Sequence, residues 1–249
     1  MIAGFREFEF DLPDALLASM IRAFDGMEGA RLSADNVRKI PEAQGVYQLI
    51  AGDEIVYIGK TDSDAGLAKR LGRHSWTIQH RKNLKVSDVS FKALRVFVFT
   101  AMDLETQLIK HYKARSSVGW NNSGFGSNDP GRNRDKTRVK ANSFDALYPI
   151  DLDEKVTLGL SGATSIVLAL KALREALPYT LRYEEGGAHE DFDGKTVTLP
   201  KGPTSTRKLL TAVVSALPKG WQATALAGRV ILYKEKEDGY PASEVIARS

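Results

Sequence analysis

Apolar and polar positions alternate between three periods along this chain. Residues 45–61 read GVYQLIAGDEIVYIGKT, two apolar runs broken at Gly52-Asp53, which predicts strands over 45–51 and 54–59 joined by a tight turn. Leu67, Leu71, His74 and Ile78 recur at helical spacing and predict a helix from Asp64 to about Gln79. The run FKALRVFVFT (91–100) is apolar on both faces towards its end and reads as a central strand. A helix from the N-cap Asp103 to about Arg115 would turn Leu104, Leu108, Ile109 and Tyr112 inward. Ahead of these elements, FREFEF (5–10) looks strand-like. A helix from about Pro13 places Leu16, Met20 and Phe24 on one face. Residues 116–142 are turn-forming almost throughout.

Beyond a boundary near 145–150 the pattern changes. Laying 153–178 over 193–218 gives ten identities in 26 positions, among them Gly162/Gly202, Thr164/Thr204, Ser165/Ser205 and Pro178/Pro218. Each copy reads strand, Gly-x-Thr-Ser helix start, helix, and a proline stop that no helix can continue. With a last strand over 229–235 the order becomes βαββαββ. This pattern weakly resembles the short N-terminal modules of secretins and TonB-dependent receptors, which dock other proteins. The fold class is therefore α/β (α+β) in two domains. The first, 1–145, has a small, mostly antiparallel sheet with flanking helices, an N-terminal helical extension and a basic arm at 131–140. The second, 150–249, is a duplicated interaction module.

Charge sharpens this division. The 249 residues carry a net +4, yet residues 60–140 hold 17 Lys/Arg against 7 Asp/Glu. A local excess of +10 points to a polyanionic partner. There is no cysteine, which excludes disulfides, thiolate metal sites and cysteine nucleophiles. The acidic start MIAGFREFEFDLPD lacks a signal peptide's apolar core, and no apolar run reaches the ~20 residues of a membrane span, so a cytoplasmic protein is expected.

Several side chains carry candidate chemistry. Arg70 and His74 lie one helical turn apart beside an apolar stripe, as a snorkelling arginine and a core histidine would, or as an anion site would. Glu105, in a first helical turn, suits either the helix dipole or a hard cation that takes most of its ligands from water and phosphate. Arg132, Arg134, Lys136, Arg138 and Lys140 alternate with other residues. An extended chain would set all five on one side about 6.6 Å apart, as a DNA contact or as a solvated linker.

Taken in order, Gly45-Val46-Tyr47, Val56-Tyr57-Ile58-Gly59, Arg70 with His74, Glu105, and Trp120-Asn121 resemble the GIY-YIG nuclease superfamily over residues 40–135. The stretch Gly124-Phe-Gly-Ser-Asn-Asp-Pro-Gly131 resembles its type II restriction endonuclease branch. Valine replaces the isoleucine of the first motif. The resemblance implies phosphodiester hydrolysis with one Mg²⁺ (or Mn²⁺) on Glu105 and Arg70 on the scissile phosphate. Tyr47 would activate water with His74, Tyr57 would position water or phosphate, and Asn121 (less well Asn122) would support the geometry. Lys60, Lys69 and Arg73 would add DNA contacts beside the five arm residues. Whether Tyr47 or His74 takes the proton stays open: a free phenol lies about three pKa units above neutrality, roughly 4 kcal/mol, and nearby cations would lower that gap. DNA is the expected partner. A homodimer on a palindrome and a protein docked on 150–249 are further possibilities. The alternatives are a nuclease for branched, damaged or mobile-element DNA, and a non-catalytic nucleic-acid-binding scaffold.

Overall fold

A computed structural model describes residues 3–9, 11–61, 64–97, 104–127, 129–184 and 189–249. They form two compact units, one of residues 1–75 with 86–121, the other of 76–85 with 122–249. The division falls earlier than the 145–150 boundary expected from sequence, because the turn-rich segment after Asn121 joins the second unit.

The first unit is built on a four-stranded antiparallel sheet. Its elements are α1 (Leu12–Asp25), β1 (Ala30–Arg31), α2 (Ala34–Val37), β2 (Gly45–Ala51), β3 (Glu54–Thr61), α3 (Leu67–Ile78), β4 (Val89–Arg95) and α4 (Leu104–Tyr112), with strand order β1-β4-β2-β3. One face of β2 and β3 presents Val46 and Ile58, which are buried with Met20 and Phe24 of α1 and Leu104, Leu108 and Tyr112 of α4. The other face carries Tyr47 and meets α3. Gly45 sits where β2 passes closest to that helix: a Cβ there would fall on the Leu94 carbonyl and on Leu67 Cδ1. Helix α3 starts after Gly66, whose φ of +63° suits a residue without a side chain, so it is shorter than the predicted 64–79.

Some expectations fail for physical reasons. Residues 5–9 are irregular, with Phe5 and Phe8 exposed, because no neighbouring strand offers a ladder. β4 ends at Arg95, and Phe97 turns out to solvent beneath the Arg95 guanidinium, 4.4 Å from the ring centre. The rest of that predicted strand and the N-cap Asp103 lie outside the described residues.

The second unit contains α5 (Phe144–Leu147), β5 (Lys155–Val156), β6 (Gly162–Ser165), α6 (Ile166–Ala176), β7 (Thr180–Tyr183), β8 (Thr196–Leu199), β9 (Thr204–Ser205), α7 (Thr206–Ser215), β10 (Gln222–Leu226), β11 (Arg229–Tyr233) and β12 (Glu244–Arg248). The two helix starts share one local solution. Gly162 and Gly202 take φ of +76° and +85°, Ser165 Oγ accepts from Leu168 N–H, and Ser205 Oγ accepts from Lys208 N–H. Both helices bury one stripe on a β12-β10-β11-β7 sheet, through Leu170 and Leu173 on α6 and Leu210 and Val213 on α7. The strand β12 was not foreseen. β11 follows β10 through Ala227-Gly228 as expected.

The opposite face of this sheet exposes Arg182, Ile231 and Tyr233 to the segment 129–136. That segment is not the extended arm the alternating charges suggested. It contains a 3₁₀ turn over Arg132–Arg134, and its Asp135 is buried against the sheet. Tyr233 on this face is buried, and Asp135 of the segment accepts from its hydroxyl and from Arg182 and Arg229.

The packing at Gly45 and the open space at Gly72 on α3 predict opposite effects of one methyl group. Gly45→Ala meets a backbone carbonyl that cannot yield and should lower unfolding stability by about 1–3 kcal/mol. Gly72→Ala meets nothing closer than 3.8 Å and should raise it by up to about 1 kcal/mol. Urea midpoints of the two variants check both signs.

Candidate active site

Three rings and a guanidinium meet on the α3 face of the first sheet. Tyr47 pairs with Gly59 across the β2–β3 ladder, and Leu49 pairs with Tyr57, so both phenols point to the same face. Gly59 is the floor beneath them: a Cβ built there would collide with the Tyr47 Oη and with Tyr57 Cε1. The ring centres lie 6.1 Å (Tyr47–Tyr57), 5.6 Å (Tyr47–His74) and 5.2 Å (Tyr57–His74) apart. Tyr47 and His74 are fully buried and Tyr57 nearly so. Tyr47 Oη lies 2.7 Å from His74 Nε2.

One turn before His74, the Arg70 side chain hydrogen-bonds the phenols of Tyr47 and Tyr57. Guanidinium only donates, so the Tyr47 oxygen accepts from Arg70, while the direction of the contact with Nε2 follows the imidazole tautomer. Burial pushes the Tyr47 phenol well above its usual range, helped by the neighbouring Tyr57, and Arg70 only partly opposes this. Phenolate is therefore disfavoured. The loss of water around the ring outweighs the charge of Arg70. Burial first, then the charges of Arg70 and Arg73, lower His74 to about 3. Both partners of the hydrogen bond are neutral at pH 7. Burial alone would lower Arg70, but the two phenols hold it above its ordinary value, so it keeps its charge.

Asn121 holds the strand that carries Tyr57. Its Oδ1 accepts from Ile58 N–H at 2.9 Å and its Nδ2 donates to Ile58 C=O at 2.8 Å. Val118 N–H donates to Ile55 C=O at 2.9 Å and Trp120 N–H to Val56 C=O at 2.8 Å. The outer edge of β3 is thus closed by residues 118–121, not by another strand. Asn122, weighed as a substitute for Asn121, is exposed at φ +60° and serves the turn.

The remaining predicted residues sit on neighbouring elements. Glu105 occupies the first turn of α4, half-exposed, on the helix whose Leu104, Leu108 and Tyr112 pack with Val46 and Ile58. Among the described residues no three of His, Cys, Asp and Glu converge on a common point. One half-exposed carboxylate fits a hard cation that keeps its water and takes a substrate phosphate, and does not fit a cation caged by protein alone. Lys60 on β3 and Lys69 and Arg73 on α3 are exposed. In the arm, Arg134, Arg138 and Lys140 are exposed, while Arg132 and Lys136 face carboxylates of the second unit. The sequence reading missed the closure of β3 by 118–121 and the role of Gly59 as floor. The alternation Tyr57-Ile58-Gly59 opposite Tyr47 held the signal for the second.

Comparison with known proteins agrees with this architecture. Residues 52–150 match the family model described as the Eco29kI GIY-YIG domain. That span includes Tyr57, Arg70, His74, Glu105 and Asn121, and Tyr47 lies just before it. The UvrABC system protein C of Caulobacter vibrioides is 34% identical over 96 residues, a match covering 36% of this chain and 14% of that protein. The GIY-YIG likeness read from the sequence is shown for this segment. No helix among the described residues is long and apolar enough to cross a membrane.

The neutral imidazole gives a pH test. An unfolded chain binds a proton at His74 near pH 6.5, but the folded one refuses it until about 3. Stability from this residue is complete above 6.5 and is lost as pH falls below it, at up to about 1.4 kcal/mol per pH unit. His74→Gln keeps an acceptor for Tyr47 and takes up no proton. The stability advantage of the wild type over this variant should shrink by about 2–3 kcal/mol between pH 6.5 and 4.5. Parallel curves from urea titrations would show that His74 is not held neutral.

Proposed function

We propose that the first unit is the catalytic part of a DNA endonuclease, with the Tyr47–Tyr57–Arg70–His74 cluster at the scissile phosphate. One observation carries this reading. Arg70 is a permanent cation whose partners among the described residues are the hydroxyls of Tyr47 and Tyr57, with no carboxylate paired to it. Its charge is available to an anion, and a phosphate matches the guanidinium fork.

The residues then divide the work. Arg70 binds a non-bridging phosphate oxygen and stabilises the charge that grows there in the transition state. Attacking water passes its proton to the Tyr47 oxygen as the phenolic proton moves to His74 Nε2, so no free phenolate forms. Phosphate bound at Arg70 offsets one of the charges that depress His74, and the imidazole becomes more basic when substrate is in place. Tyr57 orients water or phosphate from the neighbouring strand, and Asn121 keeps that strand in register through Ile58. Glu105 would hold Mg²⁺ (or Mn²⁺), whose charge would neutralise the phosphate and the departing 3′ oxygen.

The restriction-type reading rests on the Eco29kI description of the matched model and on the turn-rich segment 124–131. A palindromic target would call for a two-fold dimer.

Purified protein incubated with plasmid DNA with and without Mg²⁺ tests the proposal. Cutting should require the cation. Tyr47→Phe should retain DNA binding and lose at least about 100-fold in single-turnover cleavage, the size expected for loss of a proton-transfer group. Glu105→Gln should bind DNA and fail to cut. Cleavage by Tyr47→Phe within a few-fold of wild type would remove the relay, and cation-dependent cutting by Glu105→Gln would remove the assigned ligand. Discrete plasmid fragments support restriction; cutting confined to branched or damaged substrates supports the repair-type alternative.

A further inference from the structure

The arm at 131–140 holds five basic residues whose surroundings differ sharply. Asp135 is almost wholly buried. It accepts from Arg182 Nη1 at 2.7 Å, from Arg229 Nε at 2.9 Å and from Tyr233 Oη at 3.2 Å. Asp129 holds the other side of the Arg182 guanidinium, with Nε donating to Oδ2 at 2.9 Å, and accepts from Gly131 N–H at 3.1 Å. Burial acts against it, but the bonds from Asp129, Tyr233 and Asp135 hold Arg182 above the ordinary arginine value. A buried ionic cluster is costly unless every member is paired, and one whose partners are fixed permits a single register. Here it pins the arm to β7 and β11.

Pinning sorts the five cations. Arg132 stacks over the Tyr233 ring at 4.1 Å and faces Glu184 at 3.2 Å and Glu235 at 3.5 Å. Lys136 pairs with Glu237 at 2.5 Å. The local charge is negative around Arg132 and zero around Lys136, so a phosphate approaching either meets a carboxylate. Arg134, Arg138 and Lys140 are exposed and form no ion pair among the described residues. An unpinned arm would offer a diffuse +4; the pinned one offers three cations on a fixed backbone.

We propose that Arg134, Arg138 and Lys140, presented by an arm locked through Asp129 and Asp135, form a DNA-backbone contact to which Arg132 and Lys136 do not contribute. The choice of DNA as partner rests on the nuclease reading. The division of the arm rests on the ion pairs alone.

The salt dependence of binding tests it, measured with the full chain and a labelled duplex in the absence of divalent cations. Each neutralised phosphate adds about 0.9 to the slope of log K against log salt. Arg134→Gln/Arg138→Gln/Lys140→Gln should make the slope shallower by about 2–3 and weaken binding about 10- to 100-fold at physiological salt. Arg132→Gln/Lys136→Gln should leave the slope within about 0.5 of wild type. Equal losses from the two variants, or an unchanged slope in the triple variant, would overturn the proposal. If wild type cuts DNA while the triple variant keeps its slope, the arm contact fails and the nuclease stands. If wild type never cuts but the triple variant loses slope, the nuclease fails and the contact stands.

Discussion

The hydrogen bond between Tyr47 and His74 constrains everything around it. Tyr47 and His74 meet at 2.7 Å at a fully buried position, where burial favours the neutral form of each. Gly59 must lack a side chain for the rings to lie over β3, and Gly45 must lack one for α3 to approach β2. Among the described residues Arg70 is held by the two phenols and pairs with no carboxylate. The cluster is a poor source of phenolate, because burial outweighs the charge of Arg70 beside the Tyr47 ring.

Precision in that cluster comes from the edge of the sheet. β3 is a terminal strand, and such a strand would frame a site loosely if its outer groups were left to water. The amide of Asn121 engages both the N–H and the C=O of Ile58, between Tyr57 and Gly59. The second unit solves its own exposed sheet face with charge, by burying Asp135 among two arginines and a tyrosine.

Much of this was legible because it is local. Period-two and helical patterns located β2, β3, α3 and the inner face of α4. Glycine and serine at fixed offsets marked the starts of α6 and α7, where φ and capping depend on neighbours in sequence. Long-range compensation was not legible. Alternating charges at 132–140 look like an extended arm until Glu184, Glu235 and Glu237, about 50 to 100 positions away, take two of them. FREFEF looks like a strand until one asks what it would pair with. The net Tyr47 shift was not legible for the same reason: the Arg70 charge can be read from sequence, while the depth of burial that outweighs it cannot. Glu105 was placed on its helix correctly, but a sequence does not say which face of a sheet that helix covers.

The state of the Tyr47 phenol is the most direct test of the account. Tyrosine labelled with ¹³C at Cζ, with Tyr47 assigned through Tyr47→Phe, would report its ionisation by NMR over a pH titration. The account predicts that Tyr47 remains a phenol beyond the point near pH 10 where free tyrosine ionises. A Tyr47 signal that moves to phenolate at or below pH 10 would contradict it, and would return the role of base to the tyrosine itself.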